Sequence, residues 1–353
     1  MAKVDYQAIL NDAWQKHLAP RSKDAPTVIS TFAGCGGSSL GYSIAGFKEL
    51  LAVEWNNNAV ETFRLNFPGV PVYHGDIAKL SVEEALKVTG LKPSELDVLD
   101  GSPPCQGFST AGKRCLDDDR NQLFREYVRL LRGLQPKVFV MENVSGMVKG
   151  KMKLVFAEIM RELKASGYNV SARLMNAMYF NVPQSRQRMI FIGVRSDLNI
   201  NPSHPNAKSI IYTVYNAISD LSKIPDENLN HVWVDEWERD TKWIKFVPGV
   251  KQGGKLPRPN CQFVRLCNNK PSPTITTSGI GGIPLYVSSS HIHPTEHRAL
   301  SVREIARLSS FPDGFYFIDA LNNGADRIGN CVPPLFMAAI AEHIKNNILS
   351  EVK

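Results

Sequence analysis

The sequence predicts an α/β fold: a mostly parallel sheet with helices on its faces, followed by a second, smaller and irregular region. Three observations carry this. Short β-branched or apolar runs alternate with helical patterns from residue 27 to 195. That rhythm stops after Arg195, where Pro, Asn, Gly and Ser become frequent. A helical pattern returns from Ser301 onward. Alternating elements of this kind are the signature of a parallel sheet with crossover helices.

The elements follow in order. Thr27 to Thr31 is a β-branched run that leads into glycines, and Leu50 to Trp55 is a second apolar run. Val70 to Ile77 is a third. Ser81-Val82-Glu83-Glu84 forms a capping box, and Gly90 supplies the stop for that helix. Leu96 to Leu99 is a fourth strand, halted by Pro103-Pro104, since proline can neither continue a central strand nor donate to its ladder. Lys137 to Met141 is a fifth strand. Leu154 to Leu163 has helical spacing and stops near Gly167. Val170 to Met178 and Met189 to Val194 close the series. Ser301 caps a helix to Leu308 with Glu304 three residues on, and Pro333-Pro334 opens a last helix from Leu335 to Ile344.

Composition bounds the rest. The 353 residues, 43% hydrophobic and 21% charged, suit an ordinary globular protein. No run is long enough to span a membrane, and Met1 to Lys23 lacks the apolar core of a signal peptide, so a cytoplasmic setting is expected. The six cysteines (35, 105, 115, 261, 267, 331) show no zinc-type spacing, and a reduced chain without metal is expected. Eight basic residues and one acid lie between Arg239 and Lys270, with Trp243, Phe246 and Phe263 interleaved. That segment suits a phosphate backbone. A solvated basic face explains it equally well, and the acids just before it (Asp226, Glu227, Asp235, Glu236, Glu238) weaken the signal.

Two clusters carry chemistry. At the first, Phe32-Ala33-Gly34-Cys35-Gly36-Gly37-Ser38 follows the first strand and opens a helix, letting the backbone approach a ligand closely. Glu54 ends the second strand 18 residues after Gly36, where an acid can accept ribose hydroxyls. Asp76 adds a carboxylate suited to an adenine amino group. These residues indicate a nucleoside-containing cofactor without separating a dinucleotide from S-adenosylmethionine. Ser39 in place of the third glycine tilts away from NAD, and no Gly-Lys-Ser/Thr follows for a Walker loop. At the second, Cys105 is left on a loop at the carboxyl edge of the sheet, where open α/β folds bind ligands. Glu142 ends the fifth strand at the same edge, and Arg186 and Arg188 precede the last one. A buried glutamate can hold a proton near neutral pH. Arginine offers fixed donors to a carbonyl, phosphate or carboxylate. Each of these alone is equally a structural ion pair.

The ordered set resembles the DNA (cytosine-5)-methyltransferase family of prokaryotic restriction-modification type, from about residue 27 to 345. It comprises the glycine loop, Glu54-Trp55, Gly75-Asp76-Ile77, Pro103 to Ser109, Arg120 to Phe124, and Glu142-Asn143-Val144. Gln184 to Arg188, Arg303-Glu304 through Phe311-Pro312, and Gly329 to Pro334 complete it. Number, order and spacing carry the resemblance; any one motif is weak.

The resemblance implies a Rossmann-like S-adenosylmethionine-dependent methyltransferase sheet. Its domains would be an extension (1–26), a catalytic and cofactor-binding part (27–195), a target-recognition domain (196–300) and a return segment (301–353). It implies that Cys105 attacks carbon 6 of a flipped cytosine in double-stranded DNA, with Glu142, Arg186 and Arg188 serving the base. It assigns S-adenosyl-L-methionine, released as S-adenosyl-L-homocysteine, to Phe32, Gly34, Gly36, Glu54, Trp55, Asp76, Ile77, Pro104, Leu123 and Asn330. Gln106, Ser109, Thr274, Thr276 and Arg303 are expected on the substrate side. No metal is expected. The protein would act alone as a monomer, in the cytoplasm with the nucleoid, and possession of a cognate restriction endonuclease fits the family type. Ser102 and Cys331 depart from the common pattern without removing a functional group. Competing readings are a tRNA-directed relative, whose Cys-Phe-Thr signature is not found between 196 and 300, a catalytically silent DNA-binding protein, and a nicotinamide-dependent dehydrogenase.

Overall fold

The fold is described from a computed structural model, for residues 5–104, 122–148, 150, 152–221, 250–255, 264–275, 291–296, 298, 300–318 and 325–352. Its centre is a seven-stranded sheet in the order β3-β2-β1-β4-β5-β8-β6. The strands are β1 (Thr27–Thr31), β2 (Lys48–Glu54), β3 (Val72–His74), β4 (Val98–Gly101), β5 (Val138–Val144), β6 (Tyr168–Asn176) and β8 (Gln187–Arg195). The first five run parallel, and β8 lies antiparallel to both β5 and β6. The strand order reverses between β1 and β4, which is where such sheets open a crevice at their carboxyl ends.

Period-two alternation explains why both faces are covered. Val28, Val98, Val138, Val140, Ile190 and Ile192 point into one apolar core. Their neighbours Ile29, Leu99, Phe139, Met141, Met189 and Phe191 point into the other. Strands buried on both faces read as continuous apolar runs, as these do. The first core is closed by α1 (Tyr6–Leu18), α2 (Gly37–Ile44) and α3 (Asn57–Asn66). The second is closed by α4 (Val82–Thr89), α5 (Gln122–Leu134) and α6 (Met152–Ala165).

The segment before residue 27, given no role by the sequence, belongs to the first core. Tyr6, Leu10 and Ala13 of α1 are buried, and the Tyr6 hydroxyl donates to the Asn181 carbonyl at 3.2 Å. Beyond β8, α7 (Val214–Ile218), α8 (Val302–Leu308), α9 (Ala325–Asn330) and α10 (Pro334–Asn347) complete that side. Helix α10 lies directly on α2: a Cβ on Gly41 would meet Met337 Cβ at 2.5 Å and the Pro334 carbonyl at 2.8 Å.

Short two-residue strands tie down the 250–300 region. β7 (Gln184–Ser185) pairs with β10 (Ser272–Pro273), and β9 (Val264–Arg265) pairs with β11 (His291–Ile292). The Ser301–Glu304 capping box is present, Gly90 is left-handed at φ 70° and Pro334 is the first residue of α10, whereas Ser81 caps its helix through the Glu84 amide alone, without the reciprocal bond of a full box. The third strand is shorter than predicted. It ends at His74 because Asp76 caps a 3-10 turn over Ile77–Lys79.

Candidate active site

The glycine loop after β1 is bent by three residues with positive φ: Phe32 at 55°, Gly34 at 56° and Gly36 at 101°. A non-glycine residue held there is strained, and such strain gathers at functional loops. Gly36 caps α2, and a Cβ there would lie 2.4 Å from the Phe67 ring, so it shapes the turn without lining the cavity. Glu54, at the end of β2, fixes the loop. Its Oε2 accepts from the Gly34 amide at 2.8 Å, and its Oε1 accepts from Trp55 and Asn56 amides at 3.0 and 2.8 Å.

A cavity of about 770 Å³ opens beside this loop at the crevice between β1 and β4. Phe32, Gly34, Glu54 and Trp55 line it. Asp76, Ile77, Leu123, Pro104 and Asn330 line it as well. All of the predicted cofactor residues except Gly36 therefore meet in one place. Trp55 is 74% exposed, an unusual state for so large an apolar ring and one that leaves its face free to stack. Asn56, Arg327 and Val332 also line the cavity and were not anticipated. Arg327 lies three residues before Asn330 on α9, so helical spacing around Asn330 was the available signal. Its Nε is buried without a partner. An acid for a ribose, an exposed ring and an orphaned guanidinium nitrogen fit a nucleoside that carries an anionic amino-acid arm. Among the described residues no group of three metal-ligating side chains occurs.

The second cluster abuts the first. Glu142, near the end of β5, is 9% exposed, and its Oε1 lies 2.6 Å from Arg188 Nε on β8. Asn143 Nδ2 donates to the Pro103 carbonyl at 3.1 Å, holding the chain two residues before Cys105. Arg186 sits in the kink between β7 and β8 and is 3% exposed. Its Nη1 donates to the Ile275 carbonyl at 3.1 Å, and its Nε has no partner. Burial, and next the Arg188 charge, pull its pKa down to about 9, with Glu142 opposing them, so it stays protonated near neutrality.

The remaining substrate-side expectations divide. Thr274 donates its hydroxyl to the Ser185 carbonyl at 2.9 Å, and the next residue, Ile275, holds Arg186; the segment braces the site. Arg303 does not line the cavity. It is buried on α8 and donates to the Asp313 carbonyl at 2.9 Å. Arg265, counted in the basic segment, is likewise internal and donates to Val250, His293 and Glu296 carbonyls. Lys251, Lys255 and Lys270 are exposed. Cys105, Gln106, Ser109, Thr276, the stretch 222–249 and the glycine-rich 278–282 lie outside the described residues.

The profile of the family described as C-5 cytosine-specific DNA methylase matches residues 26–346. The chain belongs to that family. Type II methyltransferase M1.HphI of Haemophilus parahaemolyticus is 36% identical over 339 residues, covering 90% of this chain and 86% of that one. M.XorII of Xanthomonas oryzae is 33% identical over 363 residues, covering 90% and 84%. Among solved structures, a DNA modification methyltransferase encoded within an E. coli prophage aligns with TM-score 0.74 and 27% identity, covering 91% of this chain and 99% of that one. A DNMT2 of Spodoptera frugiperda shares the fold alone, with TM-score 0.65 and 17% identity. This cytosine-5 DNA methyltransferase is thus of the restriction-modification type, and its family is S-adenosylmethionine-dependent. Among the described residues no helix is long and apolar enough to cross a membrane.

Proposed function

We propose that this methyltransferase acts on a cytosine rotated out of duplex DNA, through a covalent bond between Cys105 and ring carbon 6. The observation that carries the reading is the junction of the two clusters: Glu142, Arg186 and the Asn143-held Pro103 carbonyl stand at the same sheet edge as the cofactor cavity. A base inside the helix cannot reach such an edge, so it must leave the stack.

Cys105 as thiolate adds to carbon 6, and its proton passes to solvent. The Glu142 carboxyl, oriented by Arg188, accepts from the amino group and shares a proton with ring nitrogen 3. Arg186, protonated and with Nε free, donates to the base carbonyl and offsets charge that develops on the ring. S-adenosylmethionine, when bound, supplies the methyl group that carbon 5 accepts. Glu54, Asp76 and the Phe32 and Trp55 rings would hold its nucleoside, and Arg327 and Asn330, which line the same cavity, its amino-acid arm. Loss of the carbon 5 proton, with water as acceptor, then expels the Cys105 sulfur.

Residues 196–300 serve as the target-recognition region, and Lys251, Lys255 and Lys270 contact backbone phosphates. A cognate restriction endonuclease accompanies the enzyme, as the Type II names of its relatives suggest. The protein works as a monomer in the cytoplasm, on nucleoid DNA.

The test is a duplex carrying 5-fluorocytosine within a methylated site, incubated with enzyme and cofactor. A denaturation-resistant adduct that disappears in Cys105→Ala is expected. Methyl transfer to duplex DNA without any adduct overturns the covalent route. Methyl transfer to tRNA and none to duplex DNA overturns the substrate.

A further inference from the structure

Two cysteines that methyl transfer does not use meet in the wall of the cofactor cavity. Cys35, in the glycine loop, and Cys331, just after α9, are 296 residues apart in sequence, and their sulfurs are 3.3 Å apart. Both are free thiols, with 0% and 7% exposure, and both line the cavity. Cys331 is pressed against the loop: a Cβ on Gly37 would meet Cys331 Cβ at 2.7 Å, and one on Gly34 would meet its Sγ at 3.7 Å. Disulfide sulfurs stand about 2.0 Å apart, so closure needs an approach of about 1.3 Å shared between two loop segments.

We propose that Cys35 and Cys331 are a reversible disulfide site, closed by hydrogen peroxide when the cofactor cavity is empty and shielded when it is filled. The inference rests on reading this cavity as the S-adenosylmethionine site.

The surroundings divide the labour between the thiols. The two sulfurs share a hydrogen bond, and with Cys331 as its acceptor that bond, the Gly37 and Cys35 amides and the Arg186 charge favour a Cys331 thiolate, against its burial. Cys35 keeps its proton, held up by that hydrogen bond and by burial. The Cys331 thiolate attacks one peroxide oxygen. The O–O bond breaks, one water leaves after protonation, and Cys331 becomes a sulfenic acid. The Cys35 sulfur then attacks the Cys331 sulfur, and hydroxide departs with the Cys35 proton as a second water. The two thiols lose two electrons and the peroxide gains them. The new bond draws Cys331 into the glycine loop, reshapes the wall that Gly34 and Glu54 build, and lowers cofactor affinity until a thiol reductant reopens it.

The full-length protein is treated with hydrogen peroxide, free thiols are alkylated, and a non-reducing digest is mapped by mass spectrometry. The expected product joins the Cys35 and Cys331 peptides, two hydrogens lighter than their sum, and dithiothreitol reverses it. S-adenosylhomocysteine at a hundred times its dissociation constant, measured on the same sample by calorimetry, slows formation about a hundredfold. Cys331→Ser, with its fold checked by circular dichroism, gives no such product. Both cysteines alkylated after oxidation, or Cys35 joined to another cysteine, overturns the site. A cross-link formed at equal rate with bound S-adenosylhomocysteine overturns the shielding. Absence of calorimetric binding overturns the cofactor reading instead, so the failures are distinct.

Discussion

Arg188 Nε lies 2.6 Å from Glu142 Oε1, a contact made possible by the antiparallel pairing of β8 with β5, which sets Val144 opposite Arg188. Both side chains are largely buried, at 14% and 11% exposure, so removing one partner strands the other. Arg188→Met is therefore expected to lower kcat about a hundredfold through misplacement of Glu142. Cofactor affinity should stay unchanged, because Arg188 does not line the cavity. Single-turnover methylation beside calorimetry checks this; an affinity loss that matches the rate loss would refute it.

Glu54 already accepts three backbone amides, so its carboxylate builds the loop as well as lining the cavity. Glu54→Gln replaces charge-assisted acceptors with one neutral oxygen. Hydrogen bonds to charged groups contribute about 1.5–3 kcal/mol, so S-adenosylhomocysteine affinity should drop roughly 10- to 100-fold. Calorimetry reads the change directly.

Beneath the loop lie two buried acids with raised pKa values. Burial lifts Asp100 to about 8, aided by the charges of Glu49 and Glu142, and lifts Glu49 to about 7. Ordinary values near 4 apply once the chain unfolds. The folded state thus holds protons that the unfolded state releases, and stability falls as pH rises toward those folded values. His17, His204 and His343 are depressed by burial and act in the opposite sense only below their ordinary 6.5. Urea midpoints should decline between pH 7 and pH 8, and Asp100→Asn should flatten that decline. A midpoint that climbs over this range would contradict the assignment.

Gly41→Ala places a methyl against Met337 and the Pro334 carbonyl, both nearer than 3 Å. Overpacking of that kind costs about 1–3 kcal/mol. Gly69→Ala, with nothing within 4 Å of the new carbon, is the matched control and should leave the melting temperature nearly unchanged.

Much of this was legible in the sequence because the signals are local. A strand buried on both faces is an apolar run, a capping box is four residues long, Glu54 ends its strand and Asp76 lies two residues beyond its own. What escaped depends on contacts distant in the chain. Nothing near Tyr6 announces its carbonyl partner at Asn181 or its ring contact with Tyr212. Arg303, expected on the substrate side, is held by Asp313, and Arg265 by three carbonyls. An arginine's spelling is the same whether it faces a phosphate or an internal carbonyl. Arg186 and Arg188 alternate as an extended pair would, yet a kink buries one on Ile275 and aims the other at Glu142.

The seating of α10 on α2 has a consequence in time. The residues that meet Gly41 are Pro334, Met337 and Ala338, nearly three hundred positions later in the chain. At synthesis rates of about 5–20 residues per second, the glycine loop emerges from the ribosome roughly 15–60 s before its backing does. A nascent chain therefore lacks the packing against α2, the helix that the glycine loop opens, until α10 has been made and docks.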